Sequence, residues 1–112
     1  MKILFLNILI SLLIPSNDFT GIWSMSKGNT KIEIYEKSGA YFGKIISSDD
    51  EKAKKGTLVL REFTYKDGVW KGKLYSFKKD KLVDAEMFIE TNTLKVTFDA
   101  GFMSRTLEWE KE

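Results

Sequence analysis

The chain has 112 residues, of which 43% are hydrophobic and 30% charged, so its length and composition predict one globular domain. Eighteen basic and sixteen acidic residues give a net charge of +2, which is too small to indicate a nucleic-acid-binding protein. The chain has no cysteine and no histidine, which excludes disulfide bonds, thiolate nucleophiles, zinc sites of the cysteine or histidine type and a histidine general base.

The first sixteen residues have the pattern of an export signal. Lys2 supplies a positive charge, and ten of the twelve residues in Ile3–Ile14 are apolar. As a helix this run would be about 18 Å long, short of the ~30 Å hydrocarbon core of a membrane. We therefore predict a signal peptide over 1–16, a single domain over 17–112, and a location in the periplasm or outside the cell without stable membrane insertion after cleavage. An uncleaved anchor, a cleavage site other than after Ser16 and a buried core helix stay open as alternatives.

The rest of the chain has the pattern of short strands separated by turn residues. Apolar and polar residues alternate with a period of two, most clearly in Val83–Ile89. The polar stretch after the third strand would accommodate at most one or two turns of helix. The eight predicted strands are Thr20–Lys27, Thr30–Lys37, Ala40–Ser47, Thr57–Tyr65, Val69–Ser76, Lys81–Glu90, Leu94–Asp99 and Phe102–Trp109.

Consecutive strands with short links favour an antiparallel meander, and closing such a sheet removes its exposed edges. We therefore predict an all-β fold, a small antiparallel up-and-down barrel of about eight strands. The outward faces carry charged residues and threonine, which indicates contact with water rather than lipid. Gly43 and Gly72, inside strands, predict a bend and a close approach of strands. The side chains expected inside are Ile22, Ile32, Ile34, Leu58, Leu60, Trp70, Leu74, Leu94, Val96 and Phe98.

Two separated motifs resemble the lipocalin-like (calycin) barrels. Gly21-Ile22-Trp23 opens the first strand and Arg105 lies in the last, as in the Gly-x-Trp and C-terminal arginine signature of those barrels. The first and last strands are neighbours in a closed meander. We therefore expect the guanidinium of Arg105 to lie over the indole of Trp23 and to close one end of the barrel, a structural rather than a binding role.

The chain resembles more specifically the bacterial domain of unknown function 2147 family of small exported proteins. The resemblance extends from Gly21 to Trp109 and implies an exported lipocalin-like barrel, but no particular activity. The chain departs from the family pattern in a shorter loop after the third strand and in Tyr75–Asp80, so a binding site built from those loops would be altered here. The matching stretches are Gly21–Trp23, Ile32–Tyr35, Gly39, Tyr41, Gly43–Ile45, Asp67–Gly72, Leu94–Val96, Arg105-Thr106 and Trp109.

The polar clusters do not have the spacing that catalysis or metal binding requires. Asp49–Glu51 lacks the alternating ligands of a calcium loop and is followed by lysines, so we interpret it as a solvated loop. The acidic residues of Lys81–Glu90 share a face that should point to water, away from any apolar pocket. Lys78–Lys81 is interpreted as a basic surface turn. We therefore predict no catalytic residues, no metal site, no cofactor and no enzymatic activity.

The sequence favours a non-catalytic binding module for a small apolar or amphipathic ligand, because barrels of about eight strands can hold one small molecule. Trp70, Tyr41 and Tyr75 are the candidate contacts at the barrel mouth. The alternative is a cell-envelope protein-interaction or inhibitor module with a filled core and no small ligand. The expected partner is accordingly a small molecule or an envelope protein and not nucleic acid. An open apolar cavity would favour the first function, and a filled core the second.

Overall fold

A computed structural model describes residues 18–25 and 28–112, and the predicted signal peptide lies outside this part of the chain. Each strand pairs antiparallel with the next along the chain, and the last returns to the first, so the sheet closes into a barrel. The predicted all-β barrel of eight strands is confirmed. The strands are β1 Gly21–Met25, β2 Lys31–Lys37, β3 Ala40–Ser47, β4 Leu58–Lys66, β5 Val69–Ser76, β6 Lys81–Glu90, β7 Thr93–Asp99 and β8 Ser104–Lys111.

The observed strand ends lie within two residues of the predicted ones, because turn residues mark nearly every boundary. The described residues include no helix that is long and apolar enough to cross a membrane.

The interior of the barrel is packed with side chains. Trp23, Trp109 and Phe63 are its largest fully buried members within the strands. Partly buried apolar residues, among them Trp70 and Phe98, pack against this core. The sixteen buried apolar residues, which form one cluster, are Phe19, Trp23, Ile32, Ile34, Tyr41, Ile45, Ala53, Val59, Leu60, Phe63, Leu74, Ala85, Met87, Leu94, Val96 and Trp109.

Two predicted core residues belong neither to this cluster nor to the residues packed against it: Leu58 is half-buried beside the buried Val59, and Ile22 faces outward. Ile22 is 38% exposed, whereas Trp23 beside it is 1% exposed. Neighbouring residues of a strand point to opposite faces, so only one of the two can enter the barrel. The indole Nε1 of Trp23 donates a hydrogen bond of 2.9 Å to the carbonyl of Phe19, which fixes Trp23 on the inside. The prediction that Ile22 lies inside is therefore wrong.

Strand β4 is bent by register shifts against both of its neighbours. Between Arg61 and Thr64 it has one more residue than β5 opposite, and Glu62 adopts a φ of 53° there. The bulge drives Phe63 against Gly72 of β5, where a Cβ atom would lie 2.6 Å from the phenyl ring. The predicted close approach at Gly72 is confirmed, and register shifts also flank Gly43 of β3.

The two ends of the barrel differ. The connections β2–β3, β4–β5 and β6–β7 lie at one end together with Phe19, which we call the plugged end. The connections β1–β2, β3–β4, β5–β6 and β7–β8 lie at the other end, which we call the mouth. The longest of the connections at the mouth, 48–57, links β3 to β4.

Candidate functional site

Trp23 and Lys111 form a pair at the plugged end. The register between β1 and β8 places Lys111 opposite Trp23, and its Nζ lies 4.9 Å from the centre of the indole ring. The same ammonium group donates a hydrogen bond of 2.6 Å to the carbonyl of Thr20. Lys111 therefore links the end of β8 to the ring and to the segment before β1.

Arg105 is not part of this pair. It lies at the other end of β8, opposite Phe98 of β7, and is exposed. Arg105 and Lys111 are six positions apart in the sequence, which corresponds to about 20 Å along a strand. The predicted contact between Arg105 and Trp23 is therefore wrong, because the register of β8 against β1 brings Lys111 to the ring instead.

Two of the three aromatic residues that the sequence suggested for the mouth lie at the plugged end. Tyr41 and Trp70 pack edge to face with a ring separation of 5.3 Å, and each makes a similar contact with Phe19. Burial raises the pKa of the Tyr41 hydroxyl, because the phenolate would lose its hydration. Both rings therefore belong to the packing that plugs the barrel.

The mouth holds a cavity of about 410 Å³ between the connections β1–β2, β3–β4 and β5–β6. Its apolar surface comes from Met25, Ala53 and Phe77, while two ammonium groups, a carboxylate and a hydroxyl complete the lining. The polar residues that line it are Thr30, Asp50, Lys52 and Lys78. Its volume falls within the range of small-molecule pockets.

Hydrogen bonds hold the long β3–β4 connection against the β1–β2 connection. The hydroxyl groups of Thr30 and Ser48 are 2.6 Å apart, and Thr30 is 3% exposed. The Asn29 amide donates to the Asp49 carboxylate at 2.8 Å, and the Asp49 amide donates to the Gly28 carbonyl. The acidic residues of this loop thus organise the loop itself, and Ala53 is buried beneath it.

Tyr75 lies beside the mouth rather than in it. Its ring packs edge to face on Phe77 at 4.9 Å, and Phe77 lines the cavity. The Tyr75 hydroxyl donates a short hydrogen bond to the Asp80 carboxylate, which raises the pKa of that hydroxyl. Tyr75 and Asp80 together shape the β5–β6 connection that presents Phe77. Sequence patterning contains one signal for Phe77, which is an aromatic residue at the break between two predicted strands.

A second cavity of about 590 Å³ lies on the outer face of β5–β8. Lys71, Asp84, Glu86 and Thr97 line it. The acidic side chains Asp84, Glu86 and Glu90 are exposed, as the alternation predicted. Within residues 18–25 and 28–112, no three acidic groups lie close enough together to hold a metal ion.

Comparison with known proteins agrees with this architecture. Residues 21–111 match the model of a bacterial family described as "Uncharacterized protein conserved in bacteria (DUF2147)". The chain belongs to this family. The match begins at the first residue of β1 and ends at the last residue of β8, so the family is defined by the barrel itself.

A solved structure shares the fold of this family member. It is described as "Protein HP1028 from the human pathogen Helicobacter pylori belongs to the lipocalin family". The two chains superpose with a TM-score of 0.67 at 20% identity, over 87% of this chain and 84% of that one. At that identity the likeness establishes the lipocalin-like fold. No curated protein matches the chain by sequence.

Proposed function

We propose that this protein is a non-catalytic binding module that holds a small amphipathic molecule at the barrel mouth. The observation that carries the proposal is the 410 Å³ cavity, in which Met25, Ala53 and Phe77 offer an apolar surface. Lys52 and Lys78 border the same cavity and would attract an anionic head group, to which the Thr30 hydroxyl would donate. The Asp50 carboxylate would accept a hydrogen bond only from a hydroxyl or N–H group of the ligand. The lipocalin-like fold and the ligand-sized cavity support binding over catalysis.

The packed core restricts where the ligand would be held. Large side chains, including Trp23, Trp109 and Phe63, already occupy the interior. A bound molecule would therefore rest between the mouth connections instead of descending to the middle of the barrel. The proposal accordingly favours a molecule with a short apolar part over a long hydrocarbon chain.

The experiment that tests this proposal is titration with 1-anilinonaphthalene-8-sulfonate, an amphipathic anion whose fluorescence rises in apolar surroundings. Ala53→Phe would fill the cavity from the buried floor of the β3–β4 connection, so we expect binding to weaken by about tenfold or more. Ala40→Phe, at the plugged end, is the matched control and should bind the dye as the unchanged protein does. Equal binding by the Ala53→Phe variant would contradict a ligand site at the mouth.

Native mass spectrometry of protein purified from its own host complements the titration. A co-purifying small molecule that is absent from the Ala53→Phe variant supports the proposal, and its mass identifies the ligand. The second candidate function would be favoured if the protein has the mass of the chain alone and if Ala53→Phe binds the dye as tightly as the unchanged protein.

That second candidate is a cell-envelope protein-interaction or inhibitor module. The 590 Å³ groove on the outer face of β5–β8 favours it, because charged side chains of both signs line that groove. A partner would contact Lys71 and Glu86, so the double variant Lys71→Glu with Glu86→Lys should abolish its binding while dye binding at the mouth persists. Residues 1–16 support export for either function, and N-terminal sequencing of the native protein tests that export.

A further inference from the structure

The β7–β8 connection projects an apolar side chain into solvent at the mouth. Phe102 is 99% exposed and Met103 is 50% exposed. The projection has a defined structure, because the Ala100 amide donates a hydrogen bond of 2.7 Å to the Met103 carbonyl and Gly101 adopts a φ of 85°. Phe102 and Met103 are adjacent, so this ordered turn presents two apolar side chains together at the mouth.

Basic residues lie in the neighbouring connection. The β5–β6 connection carries Lys78 and Lys79, and Lys81 begins the strand that follows; Leu82 beside it is 43% exposed. Arg105 follows the β7–β8 connection, so this sector of the mouth contains four basic residues and two acidic ones, Asp80 and Asp99.

The plugged end has no excess of basic residues. Its five acidic side chains are accompanied by five basic ones, because Lys31 and Lys95 pair with Glu112 and Glu90. The acidic residues are Asp18, Glu36, Asp67, Glu90 and Glu112, and the basic ones are Lys31, Lys37, Lys66, Lys95 and Lys111. A negatively charged surface would therefore attract the β5–β8 sector of the mouth more strongly than the plugged end.

From this arrangement we propose that the mouth docks on the surface of an anionic phospholipid bilayer. Phe102 and Met103 enter the interfacial region, while Lys78, Lys79, Lys81 and Arg105 contact the headgroup phosphates. The combination of a projecting aromatic residue with flanking lysines distinguishes a lipid surface from a purely apolar partner. Of these basic residues Lys78 also borders the cavity lined by Phe77, so docking would bring that cavity next to the bilayer.

Vesicle sedimentation tests the docking, with phosphatidylcholine vesicles compared against an equimolar mixture of phosphatidylcholine and phosphatidylglycerol. We use the chain from Asn17 onward, because the apolar segment before it would bind vesicles by itself and the closed barrel lies within the residues that follow. Circular dichroism first verifies that each variant is folded. We expect the protein to bind the mixed vesicles, and added salt to weaken that binding.

Two pairs of variants separate the mouth from the plugged end. Phe102→Ser should weaken partitioning by about tenfold, whereas Phe88→Ser, which removes a 43% exposed phenylalanine near the plugged end, should not. Lys79→Gln with Lys81→Gln should weaken it by about fivefold per lysine. The matched control, Lys37→Gln with Lys66→Gln, should leave partitioning unchanged.

A site-specific label reports the depth of Met103. Because the chain has no cysteine, Met103→Cys can be labelled uniquely with an environment-sensitive dye. Its emission should shift to the blue on mixed vesicles, and the emission of dye on Phe88→Cys should not. Equal binding to the two vesicle types, or equal effects of Phe102→Ser and Phe88→Ser, would overturn the proposal. A dimer in sedimentation velocity that Phe102→Ser abolishes would also overturn it, because a second copy would then cover this turn.

Discussion

The ammonium group of Lys111 lies over the indole of Trp23, 4.9 Å from the ring centre, and completes the seam between the last strand and the first. Because Lys111 also donates to the Thr20 carbonyl and Trp23 donates to the Phe19 carbonyl, the two side chains together fix the segment that carries Phe19. Phe19 in turn packs on Tyr41 and so covers the plugged end. The contact between Lys111 and Trp23 thus joins the first and last strands and also helps to hold Phe19 over the plugged end.

Lys111→Met should lower the free energy of unfolding by about 0.5–1 kcal/mol, because it removes the charge over the ring and keeps most of the stem. Urea unfolding measures the loss, and a double-mutant cycle with Trp23→Leu gives the coupling between the two side chains. Arg105→Met is the control and should change stability by less than about 0.5 kcal/mol, since Arg105 is exposed at the far end of β8. A coupling energy near zero would show that Lys111 does not interact with the ring.

The sequence predicts that a basic side chain of β8 lies over the Trp23 ring. That side chain is Lys111 and not Arg105. Arg105 and Lys111 are an even number of residues apart, so alternation places both on the same side of β8. Which of them meets Trp23 depends on the register of β8 against β1, and that contact joins residues from opposite ends of the sequence. The strand pattern does not contain this register, because no short turn connects the two strands.

The wrong prediction for Ile22 in β1 arises from an ambiguity between neighbouring residues. Ile22 and Trp23 are adjacent and both apolar, so alternation alone cannot say which one enters the barrel. In longer strands such as β6 several alternating positions agree, and the prediction that Asp84, Glu86 and Glu90 point to water is confirmed. The mouth cavity was harder to predict because Met25, Ala53 and Phe77 come from separate connections, where periodicity gives no information.

The two tryptophans of the plugged end should respond differently to replacement by phenylalanine. The Trp23 indole donates to the Phe19 carbonyl at 2.9 Å, whereas the buried Nε1 of Trp70 has no hydrogen-bond partner among the described residues. Trp23→Phe should therefore cost about 1–3 kcal/mol more than Trp70→Phe, because it leaves a buried carbonyl without its donor. Urea unfolding of both variants provides the comparison. An equal loss would mean that the hydrogen bond to Phe19 contributes nothing to stability.

Gly72→Ala should destabilise the barrel by about 1–3 kcal/mol, because the added methyl group would overlap the Phe63 ring and the Arg61 carbonyl. The Arg61 carbonyl belongs to the backbone of the β4 bulge and cannot move aside as a side chain can. Gly43→Ala is a graded comparison, since its methyl group would meet only side-chain atoms of Leu60 and Ile32, at 3.1–3.2 Å. In thermal unfolding, Gly72→Ala should have a lower melting temperature than Gly43→Ala. The reverse order would refute a rigid contact at the bulge.

Alkaline pH should loosen the plugged end through Tyr41. Burial raises the pKa of its hydroxyl above the ordinary value of 10.0, so the folded state favours the protonated form. The resulting contribution to stability is complete below the unfolded pKa and is lost as the pH rises through the folded one. Tyr41→Phe should therefore show a smaller loss of stability between about pH 9 and about pH 11. Tyr35 stacks on Phe42 away from the plug, and Tyr35→Phe is the control. This variant should lose as much stability over the same pH range as the unchanged protein.

Acid pH should act at Glu112, whose pKa is shifted in the opposite direction to that of Tyr41. Its carboxylate accepts hydrogen bonds from Lys31 and Ser24, and these hold its pKa below the ordinary value of 4.5. A lowered folded pKa gives stability that is present above the unfolded pKa and is lost as the pH falls through the folded value. The wild-type urea midpoint should therefore fall between about pH 6 and about pH 3, and by less in Glu112→Gln.

Amide exchange locates this acid effect. The Glu112 amide donates to the Ile22 carbonyl at 2.9 Å, so protonation of the side chain should speed exchange at the β1–β8 seam before it does so elsewhere. Glu86→Gln, on the outer face of β6, removes a carboxylate that makes no such contact and should leave the acid response of the seam in place. If Glu112→Gln retains the full wild-type acid dependence, the carboxylate does not hold the seam, and the loss of stability at low pH must arise from other groups.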